Sequence, residues 1–184
     1  TLAEATVETI NLGVPMGRAR IASVTIAVLP EPPSPRTAPM SVRGPSVRAR
    51  SAVVADLDRG VILWARDPDT QRGVASLTKL VSTLTLAVEE GRPDLDRRHC
   101  VTPELWPPKP GAFSKFETGV CHTGWDFLGA ALVHSDNRGA MALPWLASLP
   151  YEHFVAAMNS TTTELGLDAT WVDPTGLGEL NRAS

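Results

Sequence analysis

Apolar residues recur at helical spacing across residues 76–90, at Leu77, Leu80, Val81, Leu84 and Val88, and this spacing predicts one helix from Ser76 to Glu90. Gly91 and Pro93 then end it. Val74, Ala75, Leu86 and Ala87 widen the apolar surface, so the helix is expected to be central and buried. Upstream, Ala52–Leu57 and Val61–Ala65 read as two strands around Asp58-Arg59-Gly60, a hairpin signal. Downstream, Thr123-Gly124-Trp125-Asp126 has the form of a capping box with Asp as its acid. It should open a helix running to about Val133. A further helix is expected from Asn137 toward Ala147, bent or delayed by Pro144. Tyr151–Leu165 carries Phe154, Val155, Met158 and Leu165 on one face and stops at Gly166. Residues 92–119 have no steady period, and Asp173-Pro174-Thr175-Gly176 is a turn signal.

Composition changes this picture at one place. Residues 1–50 hold no aromatic residue, no lysine and no aspartate, and six prolines fall between Pro30 and Pro45. Such a segment buries little surface and is expected to be a linker or a disordered tail, which puts the folded domain at residues 51–184. The net charge of −3 argues against a nucleic-acid partner. The apolar run Ile21–Leu29 is too short to span a bilayer and has no cleavage pattern of a signal peptide. Membrane association is left open. Cys100 and Cys121 allow one disulfide or two free thiols. With His99 and His122 they could be drawn as a zinc set, but the spacing fits no common zinc module, so no metal and no cofactor is expected.

The candidate chemistry lies at the start of the first predicted helix. Ser76 and Lys79 in Ser76-Leu77-Thr78-Lys79 are one turn apart on one face. A hydroxyl beside an amine is what serine acyl transfer needs when no histidine serves as base. The helix start also offers unpaired N–H groups and a favourable dipole for a developing oxyanion. Lys79 must be neutral to act, and its apolar sequence neighbours favour that. Ser135-Asp136-Asn137 follows, in the turn after a capped helix. S-x-x-K with S-D-N and K-T-G marks penicillin-binding proteins and class A β-lactamases. Two of the three motifs are present, in that order, and no lysine here is followed by Thr-Gly or Ser-Gly.

Residues 51–176 resemble the D-alanyl-D-alanine carboxypeptidase and endopeptidase branch of the low-molecular-mass penicillin-binding proteins. The resemblance is carried by Ser51–Asp56 with Gly60–Ala65, by Ala75–Leu80, by Ser135–Ala140, by Phe154–Asn159, by Leu165-Gly166-Leu167 and by Asp173–Leu177. It implies an α+β, β-lactamase/transpeptidase-like domain. Present here would be a hairpin and a helical lobe, with the C-terminal strands of the sheet missing and the chain truncated before the Lys-Thr-Gly motif. It implies a peptidoglycan stem peptide as substrate, β-lactam antibiotics as covalent inhibitors and an extracytoplasmic location. Ser76 would be the acylated nucleophile, Lys79 its base and Ser135 a proton relay. Asn137 would hold the substrate amide, and Asp136 would brace its loop. Two alternatives stand beside this. One is a β-lactamase of related fold, for which Glu179-Leu180-Asn181 is the nearest deacylating candidate, at the wrong spacing. The other is a non-catalytic fragment that binds penicillin without turnover.

Overall fold

The computed structural model describes residues 44–56, 58–89, 93–105 and 114–184, together with the backbone of four short strands between residues 7 and 27. Most of the 1–50 segment, and residues 106–113 of the aperiodic stretch, lie outside that description. The chain divides into two compact units, residues 1–70 and 71–184. That division falls well beyond the compositional change at residue 50.

In the first unit, β1 (Val7–Ile10) pairs antiparallel with β4 (Val24–Ala27), and β2 (Val14–Met16) with β3 (Ala19–Ile21). The expected hairpin is formed by β5 (Ala52–Asp56) and β6 (Val61–Arg66), with Ala52 opposite Arg66 and Val54 opposite Trp64. A bulge follows Val54. Asp56 stabilises the turn by accepting from the Arg59 N–H at 3.1 Å, and Gly60 takes the positive φ of 63° that closes it. At the base, Arg66 donates to the carbonyls of Val47 and Ala49.

The second unit contains the helices. β7 (Arg72–Gly73) leads into a 3₁₀ turn at Ala75–Leu77 and then α1 (Thr78–Val88). β8 (Arg98–Cys100) pairs antiparallel with β9 (Cys121–Thr123). α2 (Gly124–Val133) starts from the expected capping box: Thr123 Oγ1 accepts from the Asp126 N–H, and the Asp126 carboxylate accepts from the Thr123 N–H at 2.8 Å. The segment beginning at Asn137 is two helices, α3 (Asn137–Met141) and α4 (Leu143–Leu146), because Pro144 can enter only at a helix start. α5 (Tyr151–Glu164) ends at Gly166, φ 69°. β10 (Ala169–Thr170) and β11 (Arg182–Ala183) return the chain to β7, in a small antiparallel sheet of order β10-β11-β7. The sequence reading had only a turn in this region.

The core of this unit gathers Leu86, Val101, Phe116, Phe127, Leu143, Phe154, Met158 and Trp171. Cys100 and Cys121 face each other across β8–β9 and form a disulfide. That settles the choice left open by the spacing and removes both thiols from any zinc set. No helix among the described residues is long and apolar enough to cross a membrane.

One expectation is corrected. α1 is central, but its buried side is polar: Thr78, Lys79, Ser82 and Thr85 are buried beside Leu86, whereas Leu77 and Leu80 are about 60% exposed, at 62% and 59%. Thr78, Lys79, Ser82, Thr85 and Leu86 share one face by helical spacing. That face is taken by hydrogen-bonding neighbours. Ser82 donates to the Pro174 carbonyl at 2.9 Å, and Thr85 meets Thr161 of α5. Periodicity registers apolar residues and is blind to a buried stripe of hydroxyls.

Candidate active site

Ser76 sits in the 3₁₀ turn just ahead of α1, and Lys79 lies in the first turn of that helix. Ala75 has φ 46°, a left-handed conformation that costs a non-glycine residue energy. It turns the chain so that Ser76 is exposed while Lys79, one turn on, is 2% exposed. The Lys79 Nζ lies 3.1 Å from Ser76 Oγ, 2.9 Å from Asn137 Oδ1 and 2.7 Å from the Thr175 carbonyl. Ser135 donates its hydroxyl to Ser76 Oγ at 2.6 Å. The four residues singled out in the sequence, Ser76, Lys79, Ser135 and Asn137, therefore form one cluster.

The Ser135 turn is built to hold this geometry. Ser135 itself has φ 56°. Asp136 is the N-cap of α3: its carboxylate accepts from the Gly139 N–H at 3.0 Å and from the Lys115 N–H at 3.1 Å. Thus Asp136 braces the loop, as the resemblance implied, and also ties the 114–118 segment to it. Arg138, 4% exposed, reaches the same segment through the Phe116 carbonyl. Gly139 allows α3 to lie on α2, since a Cβ there would fall 2.6 Å from the Phe127 carbonyl oxygen.

On the other side of Lys79 is the turn after α5. Gly176 (φ 85°) packs so tightly on the 3₁₀ turn that a Cβ would sit 1.9 Å from the Ala75 carbonyl oxygen. This contact sets the Thr175 carbonyl against Lys79. Behind it, Asp173 accepts from the backbone N–H groups of Thr175, Gly176 and Gly178, at 2.7, 2.9 and 2.6 Å, and from the Thr175 hydroxyl. Asn181, 1% exposed, donates to the Asp173 carboxylate and accepts from the Val172 N–H. The sequence reading marked Asp173–Gly176 as a turn and missed Thr175, Asp173 and Asn181 as parts of the site. Asn181 is separated from Lys79 by about a hundred residues along the chain, and no local pattern joins them.

Burial pushes the Lys79 amine below the ordinary lysine value, and the charges of Asp173 and, less, Asp136 pull it back up. Three acceptors surround the amine, and as an ammonium it donates to all of them. Asn137 Oδ1 and the Thr175 carbonyl can only accept, so once neutral it spends its two N–H bonds on them and turns its lone pair to the Ser76 hydroxyl. A groove of about 370 Å³ opens over Ser76, lined by Val74, Leu77, Lys79, Leu80, Leu132 and Ser135. Among the described residues no group of three metal-ligating side chains occurs.

Comparison with known proteins decides the family. The profile of the D-alanyl-D-alanine carboxypeptidases (peptidase S11) matches residues 38–184. The chain belongs to this family. It is 31% identical over 138 residues to a D-alanyl-D-alanine endopeptidase of Escherichia coli, covering 74% of this chain and 44% of that protein. It is 32% identical over 156 residues to the Pseudomonas aeruginosa D-alanyl-D-alanine endopeptidase, covering 84% and 49%. The fold is similar to that of a D-alanyl-D-alanine carboxypeptidase from Mycobacterium tuberculosis, with a TM-score of 0.65 at 25% identity over 76% of this chain and 53% of that one. It is also similar to the Streptomyces K15 DD-transpeptidase, with a TM-score of 0.70 at 19% identity over 77% and 58%. The described structure is therefore part of the α+β fold of the penicillin-binding proteins, and the chain spans about half the length of the curated relatives it matches.

Proposed function

We propose that this chain carries the nucleophile-bearing part of a serine-type D-Ala-D-Ala peptidase that cleaves peptidoglycan stem peptides through a Ser76 acyl-enzyme. The observation that carries the reading is the hold on Lys79: its Nζ lies within hydrogen-bond distance of Ser76 Oγ, Asn137 Oδ1 and the Thr175 carbonyl, and in the neutral amine the last two, pure acceptors, take its two N–H bonds and leave its lone pair for Ser76. Burial lowers its proton affinity, which suits a base near neutral pH.

The steps follow from the contacts. Ser76 Oγ attacks the carbonyl carbon of the scissile bond as its proton passes to Lys79. Charge then develops on the carbonyl oxygen, and the backbone N–H of Ser76 and the dipole of α1 favour it. The C–N bond breaks and its electron pair goes to the leaving amine. Ser135, hydrogen-bonded to Ser76 Oγ, relays a proton from Lys79 to that amine. Asn137 turns its Oδ1 to Lys79, which leaves its Nδ2 to donate to the substrate's amide carbonyl. Water finally hydrolyses the ester and returns the serine. A β-lactam enters the same first step and remains attached to Ser76.

In this reading the Lys-Thr-Gly element comes from polypeptide beyond these residues, in keeping with a chain that spans about half the length of the relatives it matches. On composition the N-terminal segment reads as a linker, while the family profile reaches back to residue 38. The site works outside the cytoplasmic membrane, where peptidoglycan lies. The Cys100–Cys121 disulfide supports that placement, because such bonds persist in oxidising compartments.

The test is covalent labelling by a fluorescent penicillin of protein extended through a Lys-Thr-Gly element. Wild type should label, Ser76→Ala should not, and Lys79→Ala should label slower by orders of magnitude with its fold intact. Labelling that persists in Ser76→Ala at another residue would overturn the assignment.

A further inference from the structure

The buried polar knot behind Lys79 is larger than acyl transfer by Ser76, Lys79, Ser135 and Asn137 requires. Asp173, 4% exposed, collects donors from three backbone N–H groups, one hydroxyl and the Asn181 side chain. Those N–H groups belong to Thr175, Gly176 and Gly178, which make up the turn whose Thr175 carbonyl lies 2.7 Å from Lys79. Asn181 fixes the knot from behind. Its Nδ2 donates to the Asp173 carboxylate and to the Asp173 carbonyl, both at 3.1 Å, and its Oδ1 accepts from the Val172 N–H at 2.7 Å. Among the described residues no salt bridge holds Asp173, and a buried carboxylate satisfied by dipoles keeps its field for whatever ionisable group stands nearest.

We propose that Asp173, pinned by Asn181, is a positioning residue for Lys79: it fixes the Thr175 carbonyl against the amine and places a negative charge behind it. The proposal rests on the reading of Lys79 as the base. It adds a control on that base from outside the two sequence motifs. Burial alone drives the amine toward its neutral form, and the Asp173 charge opposes burial. The balance decides the pH at which Ser76 acquires a base.

The groups facing Lys79 are few. Ser76 and Ser135 stand on the groove side, Asn137 of α3 and the carboxylate of Asp136 at its N-cap stand on a second side, and the Asp173–Gly178 turn forms the third. Asp136 is the only other carboxylate acting on the amine among the described residues, and it acts less strongly. Tyr151, at the start of α5, also feels Asp173: burial first, then Asp173 and Glu152, push its phenol up to about 12.

A purely structural part for Asp173 and Asn181 makes a different prediction from an electrostatic one. If the pair only packed the turn, weakening either residue would loosen it, admit water and move Lys79 up toward the ordinary lysine value. If Asp173 acts by its charge, the two substitutions move Lys79 in opposite directions. Asp173→Asn removes the charge, and the amine titrates lower. Asn181→Ala takes one donor from the carboxylate, strengthens its field on Lys79, and the amine titrates higher.

The experiment is an NMR pH titration of the chain with ¹³C-labelled lysine, following the ε-carbons. Only Lys79, Lys109 and Lys115 contribute, and Lys79→Ala assigns the signal. The expected result is a midpoint below wild type in Asp173→Asn, above wild type in Asn181→Ala, and a smaller fall than that of Asp173→Asn in Asp136→Asn. An unmoved midpoint in folded Asp173→Asn, or shifts of one sign in both variants of the pair, would overturn the proposal. Should Asp173→Asn fail to fold, the Asn181→Ala midpoint is read together with hydrogen exchange of the Gly176 and Gly178 amides that Asp173 holds: a rise with wild-type protection sustains the proposal, and a rise with lost protection, or an unmoved or lowered midpoint, rejects it. The readout needs no acylation, so a penicillin that fails to label Ser76 would refute the proposed function without altering these midpoints.

Discussion

Replacing Gly176 by alanine puts one methyl group at the point where the two halves of the site are pressed together. The new Cβ would lie 1.9 Å from the Ala75 carbonyl oxygen and 2.4 Å from its carbon, both backbone atoms that no rotamer change can move. Holding an L-residue at φ 85° adds roughly 1–2 kcal/mol. Relief requires the turn to retreat by about 1 Å or more, since ordinary non-bonded contacts begin near 3.5 Å. The Thr175 carbonyl moves with it, and its 2.7 Å contact with Lys79 then exceeds hydrogen-bond range. The strain and the lost contact together come to about 2–4 kcal/mol, a large part of the ~5–15 kcal/mol that stabilises a typical domain. For a chain of this size that corresponds to a fall of roughly 4–16 °C in Tm. Differential scanning calorimetry measures it, and acylation of the extended protein should fall on the order of a hundredfold, as for a misplaced catalytic group. A Tm within about a degree of wild type together with unchanged labelling would show that the Gly176–Ala75 contact does not hold the site together.

Four further outcomes are expected. Lys79→Met removes the donor to Asn137 Oδ1 and the Thr175 carbonyl; acylation should fall by about 10²–10⁴, with a stability loss of about 1–3 kcal/mol read by urea titration. Reduction of the disulfide, or Cys100→Ser with Cys121→Ser, should lower stability by about 3 kcal/mol for a loop of 21 residues, seen as a drop in Tm on adding a thiol. Limited proteolysis should trim residues 1 to about 45 before it cuts elsewhere, and protection of Pro30–Pro45 as strong as that of α1 would contradict the linker reading. In labelling, raising the pH should speed acylation until Lys79 is fully neutral, and the burial that lowers its proton affinity places that rise below the ordinary lysine range.

What the sequence revealed depended on how local each signal was. The hairpin, the α2 capping box, the break at Pro144 and the stop at Gly166 are each written in a few adjacent residues, and each appears where those residues place it. Ser76, Lys79, Ser135 and Asn137 were legible for another reason: their spacing and order match a chemistry that needs those groups together. The rest was hidden by distance and by polarity. The buried stripe Thr78, Ser82 and Thr85 looks like helix surface until Pro174 and Thr161 are seen to meet it. The Asp173–Asn181 pair resembles ordinary turn chemistry, and only the fold carries it to Lys79. β7, β10 and β11 are two residues each, too short to show any alternation.

The central claim is that Ser76 attacks and Lys79 takes its proton. Peptide mapping of the penicilloyl adduct by mass spectrometry, on the protein extended through a Lys-Thr-Gly element, tests it most directly. The account predicts a single adduct on the peptide that contains Ser76, lost in Ser76→Ala and formed far more slowly in Lys79→Met. An adduct on any other residue, or one formed at the wild-type rate without Lys79, would contradict it.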